Sequence, residues 1–137
     1  MAIRVGVDLA AIATVAETLE GPNRDRYLAR IFTEGEVADC TVFGRVSAER
    51  LAARFAAKEA TIKLLATDEG LSWREIEVCS EASGSVRVVL HGRVSALAAD
   101  SGIVELALSL SHEDGMAVAV AVAEIMTPAG RSRTAPD

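Results

Sequence analysis

Residues 47–66, SAERLAARFAAKEATIKLLA, decide how this chain is read. Ser47 can cap a helix, and Arg50 to Ala66 contains neither Gly nor Pro. One long helix is therefore predicted, closed by Asp68-Glu69-Gly70. Leu51, Phe55 and Ile62 recur at helical spacing and mark an apolar stripe. Glu59 falls inside that stripe. A carboxylate facing a core is costly unless a charge or a metal meets it. Two partners fit: Lys63, one turn on in the favourable Glu-to-Lys order, or a metal ion.

Toward the amino terminus, Ile3, Val5 and Val7 alternate with Arg4, Gly6 and Asp8, a short strand with a carboxylate at its end. A helix from about Leu9 to Leu19 is stopped by Gly21-Pro22-Asn23, and a second runs from Arg24 to Ile31. Thr33 and Glu36 have the spacing of a capping box. Toward the carboxy terminus, Glu75 to Cys79 and Val86 to Leu90 read as strands joined by a turn at Glu81 to Gly84. A helix from Gly92 to Ala99 follows. Ile103 to His112 and Met116 to Ile125 then form a hairpin around Glu113-Asp114-Gly115. Residues 127–137, TPAGRSRTAPD, are polar and read as a disordered tail. The expectation is an α+β domain over residues 1–126, an antiparallel sheet packed on a long central helix.

Half of the 137 residues are hydrophobic but only 4% are aromatic, so the core must be built from Ala, Val, Leu and Ile. The net charge is −6 with no basic block, which argues against binding nucleic acid through its phosphates. Cys40 and Cys79 lie in no metal-binding spacing and read as reduced thiols of a cytoplasmic protein. The first residues read as strand and helix, not as a signal peptide. No apolar run approaches the roughly 20 residues of a membrane span.

Asp8 is a second candidate. It can cap the following helix, or join Glu59 as an oxygen ligand to Mg²⁺, which takes one or two protein carboxylates and completes its shell with water and phosphate. The strand 103–112 offers a third. Val104, Leu106, Leu108 and Leu110 share one face. Ala107, Ser109 and Ser111 share the other, small and polar, which suits either solvent or a closely approaching ligand. His112 stands at the hairpin mouth, with no Ser/His/Asp order to make it a base.

Arg54-Phe55-Ala56-Ala57-Lys58-Glu59-Ala60 with Lys63 resembles the central helix of the holo-acyl-carrier-protein synthases. Val5-Gly6-Val7-Asp8-Leu9 resembles their opening strand. Arg26-Tyr27, Arg30 to Thr33, and Ser109-Leu110-Ser111-His112 resemble later segments in the same order. The resemblance implies the 4′-phosphopantetheinyl transferase fold. It implies transfer of the 4′-phosphopantetheine arm of coenzyme A to a serine of an apo acyl carrier protein, releasing adenosine 3′,5′-bisphosphate. It further implies Mg²⁺ on Asp8 and Glu59, and Lys63 on the charge of the phosphate. Coenzyme A would be bound by Arg54, Lys63, Ser109, Ser111 and His112. The assembly implied is a homotrimer with sites between subunits.

The chain departs from the family's pattern in three places. Ala107 stands where a His is usual, the turn 66–70 carries Asp68 and Glu69 where Gly is usual, and the first helix shows Glu17 and Glu20 where bases are usual. These departures motivate an alternative, a divergent pathway protein that binds or acts on a thioester linked to coenzyme A or a carrier protein.

Overall fold

The computed structural model describes residues 1–126; the expectation for the tail 127–137 lies outside them. In chain order the elements are β1 (Ala2–Ala11), α1 (Ile12–Glu20), α2 (Arg24–Ile31), α3 (Glu34–Asp39), β2 (Thr41–Val42), β3 (Arg45–Val46) and α4 (Ala48–Ile62). A 3-10 turn (Trp73–Glu75), β4 (Ile76–Ser80), β5 (Val86–Leu90), α5 (Gly92–Asp100), β6 (Ile103–Glu113) and β7 (Met116–Ile125) complete it. The α+β expectation holds: a three-stranded antiparallel sheet, ordered β1-β7-β6, packs on α4. β2–β3 and β4–β5 are separate hairpins.

Small residues set how closely the helix and sheet approach. In β7 alternation puts Ala117, Ala119, Ala121 and Ala123 on the inner face, all fully buried, and the valines between them outside. The alanines meet Ala52, Ala56, Ala57 and Ala60 of α4, also fully buried. Ser47 starts α4 as expected, its Oγ accepting from the Arg50 amide at 3.3 Å. The capping box at Thr33 and Glu36 forms in both directions. The hairpin turn on Asp114-Gly115 has positive φ at both residues, as an Asp-Gly turn between twisted strands requires.

The structure corrects several expectations. The first strand runs to Ala11, so Asp8 lies within it and not at its end. Helix α1 starts at Ile12, and its cap position is Ala11, with no side-chain capping bond, so Asp8 is no cap. Pairing with β7 along the whole strand outweighs the local helix signal at Leu9. The long helix ends at Ile62, short of Ala66. A register irregularity between Ile103 and Glu105 turns Val104 away from the face of Leu106, Leu108 and Leu110, leaving it exposed. The hairpin β2–β3, which turns on Phe43-Gly44 with positive φ at both, was signalled only by one glycine.

The outer face of the three-stranded sheet is apolar and uncovered within one chain. Ile3, Val5, Val7 and Leu9 are 51–67% exposed, level with Val118, Val120 and Val122 of β7. Among the described residues no helix is long and apolar enough to cross a membrane.

Candidate active site

Asp8, Glu59 and Lys63 come together where α4 crosses β1, and Gly6 permits the crossing. A Cβ at position 6 would overlap the carbonyl oxygen of Ala60 and reach 3.4 Å from the Lys63 Cβ. Only hydrogen lets the helix backbone lie directly on the strand. Two residues further along the same inner face, Asp8 meets the helix. The Lys63 ammonium donates to the Val7 carbonyl at 2.7 Å and stands 3.4 Å from Asp8 Oδ1.

Glu59 completes the group. Its carboxyl is held above the ordinary carboxylate range, first by burial and then by the negative charge of Asp8, against the opposing pull of Lys63. The two carboxylates are thus electrostatic neighbours in a half-buried place. The expected Glu59–Lys63 pair does not form, because Lys63 turns to Asp8 instead. Glu59 is also less enclosed than its stripe suggested. Phe55, Glu59 and Ile62 are half-buried, while the buried faces of α4 carry Leu51, alanines, Arg54, Lys58 and Thr61.

The rest of the expected site is distributed. Arg54 is buried on another flank of α4, donating to Ser80 Oγ at 2.6 Å with Asp39 at 3.9 Å. Its Nε is buried with no hydrogen-bond partner among the described residues. Ser109 and Ser111 pair with Val120 and Val118 on the outer face, opposite Asp8, and are exposed. Ala107 shares that face. His112 reaches the start of α4 instead, its Nε2 2.9 Å from Glu49 Oε1. One chain therefore gathers three of the candidate residues and leaves Arg54, Ser109, Ser111 and His112 elsewhere.

Lys58, next to Glu59 in sequence, has a role that the sequence did not disclose. It is fully buried, with its ammonium donating to Glu36 Oε1 at 2.6 Å and to the carbonyls of Trp73 at 3.0 Å and Ile76 at 2.5 Å. The other Glu36 oxygen accepts from the Val78 amide at 3.1 Å. Burial pulls the Lys58 pKa down while Glu36 pushes it back up. Lys58 gave no periodic signal of its own, and the capping box at Thr33 foretold only the local bonds of Glu36.

Comparison with known proteins gives the family. The family model for the 4′-phosphopantetheinyl transferase superfamily matches residues 4–121. A holo-[acyl-carrier-protein] synthase of Moorella thermoacetica is 42% identical over 123 residues, covering 89% of this chain and 94% of that one. One of Frankia casuarinae is 41% identical over 122 residues, covering 89% and 97%. Among solved structures, the Chronobacterium ammoniagenes ACPS-CoA complex superposes with a TM-score of 0.79 at 33% identity, covering 93% of this chain and 100% of that one. With the fold, the motif order and the relatives in agreement over nearly the whole domain, the chain belongs to the 4′-phosphopantetheinyl transferase superfamily and, within it, to the holo-[acyl-carrier-protein] synthases.

Proposed function

We propose that the chain transfers the 4′-phosphopantetheine arm of coenzyme A to a serine hydroxyl of an apo acyl carrier protein at the Asp8–Glu59–Lys63 cluster, with Mg²⁺ held by Asp8 and Glu59. The observation that carries this reading is the meeting of two carboxylates and one ammonium over Gly6. The donor set suits magnesium: two hard oxygen ligands that repel each other, with room left for water and phosphate. When bound, Mg²⁺ supplies positive charge to the pyrophosphate of coenzyme A.

The chain's own residues position and neutralise. The Lys63 side chain is half exposed, so its ammonium can turn from Asp8 to a phosphate oxygen and stabilise the charge that develops there. In the reaction the serine oxygen forms a new bond to the phosphorus that carries pantetheine. The bond from that phosphorus to the bridging oxygen breaks, the serine proton leaves, and adenosine 3′,5′-bisphosphate departs with the bridging oxygen. Arg54, whose guanidinium lies on another flank of α4, is the residue this reading assigns to the charge of the nucleotide end.

The assembly in this reading is a homotrimer. The exposed face of Ile3, Val5, Val7 and Leu9 supports it, since a contiguous apolar face of this kind marks an interaction surface. Ser109 and Ser111 share that face and would complete the coenzyme A site of a neighbouring subunit together with His112.

The test is to incubate the protein with apo carrier protein, coenzyme A and Mg²⁺ and weigh the carrier. The carrier should gain the mass of one phosphopantetheine arm, and Glu59→Ala should lower the rate on the order of 10²–10³-fold or more, as loss of a charge-stabilising group does. No mass gain on any of several carrier proteins would overturn the reading.

A further inference from the structure

Helix α4 rests on the sheet through alanines, and alanines do not interlock. Ala60 lies directly on Gly6, and the buried alanines of α4 share one packed cluster with those of β7. Such a contact allows close approach, but it opposes rotation or sliding of the helix weakly, because no large side chain enters a matching hole. Yet the site needs one rotation of α4 only. Residues 58 and 59 stand about 100° apart around the helix, so whatever fixes the direction of Lys58 fixes that of Glu59.

Of the side chains that tie α4 to its surroundings, Lys58 has the most bonds and stands next to Glu59. Its ammonium has three acceptors, from α3, the 3-10 turn and β4, and it also lies 5.4 Å from the centre of the Phe32 ring. Glu36 is held in turn by the Thr33 and Val78 amides. None of these partners belongs to β1, which carries Asp8. A buried ion pair of this kind adds little net stability over apolar residues of the same size; its attested use is to specify one arrangement.

We propose that Lys58, locked by Glu36, is a positioning residue of the transfer reaction: it fixes the rotation of α4 and so places Glu59 and Lys63 against Asp8. This rests on the reading of Asp8 and Glu59 as the Mg²⁺ ligands. The substitution Lys58→Met alone strands the Glu36 charge, so the informative variant is Lys58→Met with Glu36→Gln, and Glu36→Gln alone is the milder second.

Circular dichroism and urea denaturation first establish that each variant is folded. Calorimetric titration with Mg²⁺ in the presence of coenzyme A then gives the metal affinity, and steady-state rates give kcat and KM. The double variant should bind Mg²⁺ on the order of tenfold more weakly, the size of effect seen when the support of a ligand is removed. Its kcat should fall on the order of a hundredfold, with KM for the carrier protein unchanged. Thr61→Val serves as the control. Thr61 is equally buried on α4 but bonds only to the Ala57 carbonyl of its own helix, so metal affinity should not move.

A folded double variant with unchanged metal affinity and kcat would overturn the positioning role; if the double variant does not fold, the same result with Glu36→Gln decides it. Failure of the unsubstituted protein to bind Mg²⁺ would instead remove the reading of Asp8 and Glu59 as ligands, and the positioning role with it.

Discussion

Two lysine–carboxylate pairs hang from the same helix, five positions apart, and they are built for opposite purposes. Lys58 and Glu36 are both fully buried, 2.6 Å apart, with every remaining polar valence filled by backbone. Lys63 and Asp8 are 3.4 Å apart, with the lysine side chain 52% and the aspartate 23% exposed. The first pair is closed and can only hold. The second is loose, leaves oxygen lone pairs free and sits beside a carboxylate that resists ionisation. A side chain that is saturated belongs to the scaffold; one held weakly is available to a ligand.

Removing each lysine in turn is the sharpest way to break that contrast. Lys58→Met leaves Glu36 buried and uncompensated and should cost about 3–5 kcal/mol in urea denaturation, a large share of the stability of a small domain. Lys63→Met removes a partly exposed pair and should change stability by about 1 kcal/mol or less. Its transfer rate should nonetheless fall on the order of 10²–10³-fold. Equal stability losses in the two variants would mean that the distinction between closed and open pairs is mistaken.

Gly6→Ala separates the pairs by geometry. The added methyl must displace the Ala60 carbonyl, at a cost of about 1–3 kcal/mol for forced overpacking. Lifting α4 off β1 should pull Lys63 and Glu59 from Asp8 while Lys58, anchored on the other flank, keeps its partners. Loss of Mg²⁺-dependent coenzyme A binding in a folded Gly6→Ala protein is the expected result.

The outer face offers a third probe, because the homotrimer proposed above places part of each open site on a neighbouring subunit. Val7→Asp puts a charge on the exposed apolar face without touching the inner one. Light scattering should show the assembly dissociating to monomers and transfer should be lost, whereas the far-ultraviolet spectrum stays the same. A monomeric variant with full activity would confine the site to one chain.

Much of this was legible in the sequence, and the limits have physical causes. The hairpin at Asp114-Gly115 and the capping box at Thr33 were readable because each is a local rule written in two or three residues. The extension of β1 to Ala11 was not, since it follows from pairing with a strand more than 100 residues away. Glu59 was singled out as a carboxylate on an apolar stripe with Lys63 or a metal ion as its partner, but that Asp8 lies beside it and that Lys63 turns to Asp8 needed the crossing at Gly6. Ser109 and Ser111 were found as a small polar face, and only the sheet register showed that this face turns away from Asp8. Lys58 escaped notice because a lysine in a helix is ordinarily solvated, and nothing short of three dimensions supplies its three acceptors.

The smallest expected effect tests the open pair from its own electrostatics. The Glu59 carboxyl is held above its ordinary range by burial and by Asp8, so the folded state favours its neutral form. That contribution is full below the ordinary carboxylate pKa and is lost as pH rises through the raised value, beyond which ionised Glu59 opposes folding. Glu59→Gln makes the neutral form permanent. In metal-free buffer its Tm should approach that of the unsubstituted protein as pH falls below the ordinary carboxylate pKa of about 4.3, and exceed it modestly near about pH 7.5. Addition of Mg²⁺ and coenzyme A should reverse the order, raising the Tm of the unsubstituted protein alone, because a ligand of the folded state stabilises only the chain that binds it. A Glu59→Gln protein that is less stable than its parent in metal-free buffer at the higher pH would mean that Glu59 is already satisfied within the chain, like Lys58, and the pair at Asp8 would then be closed as well.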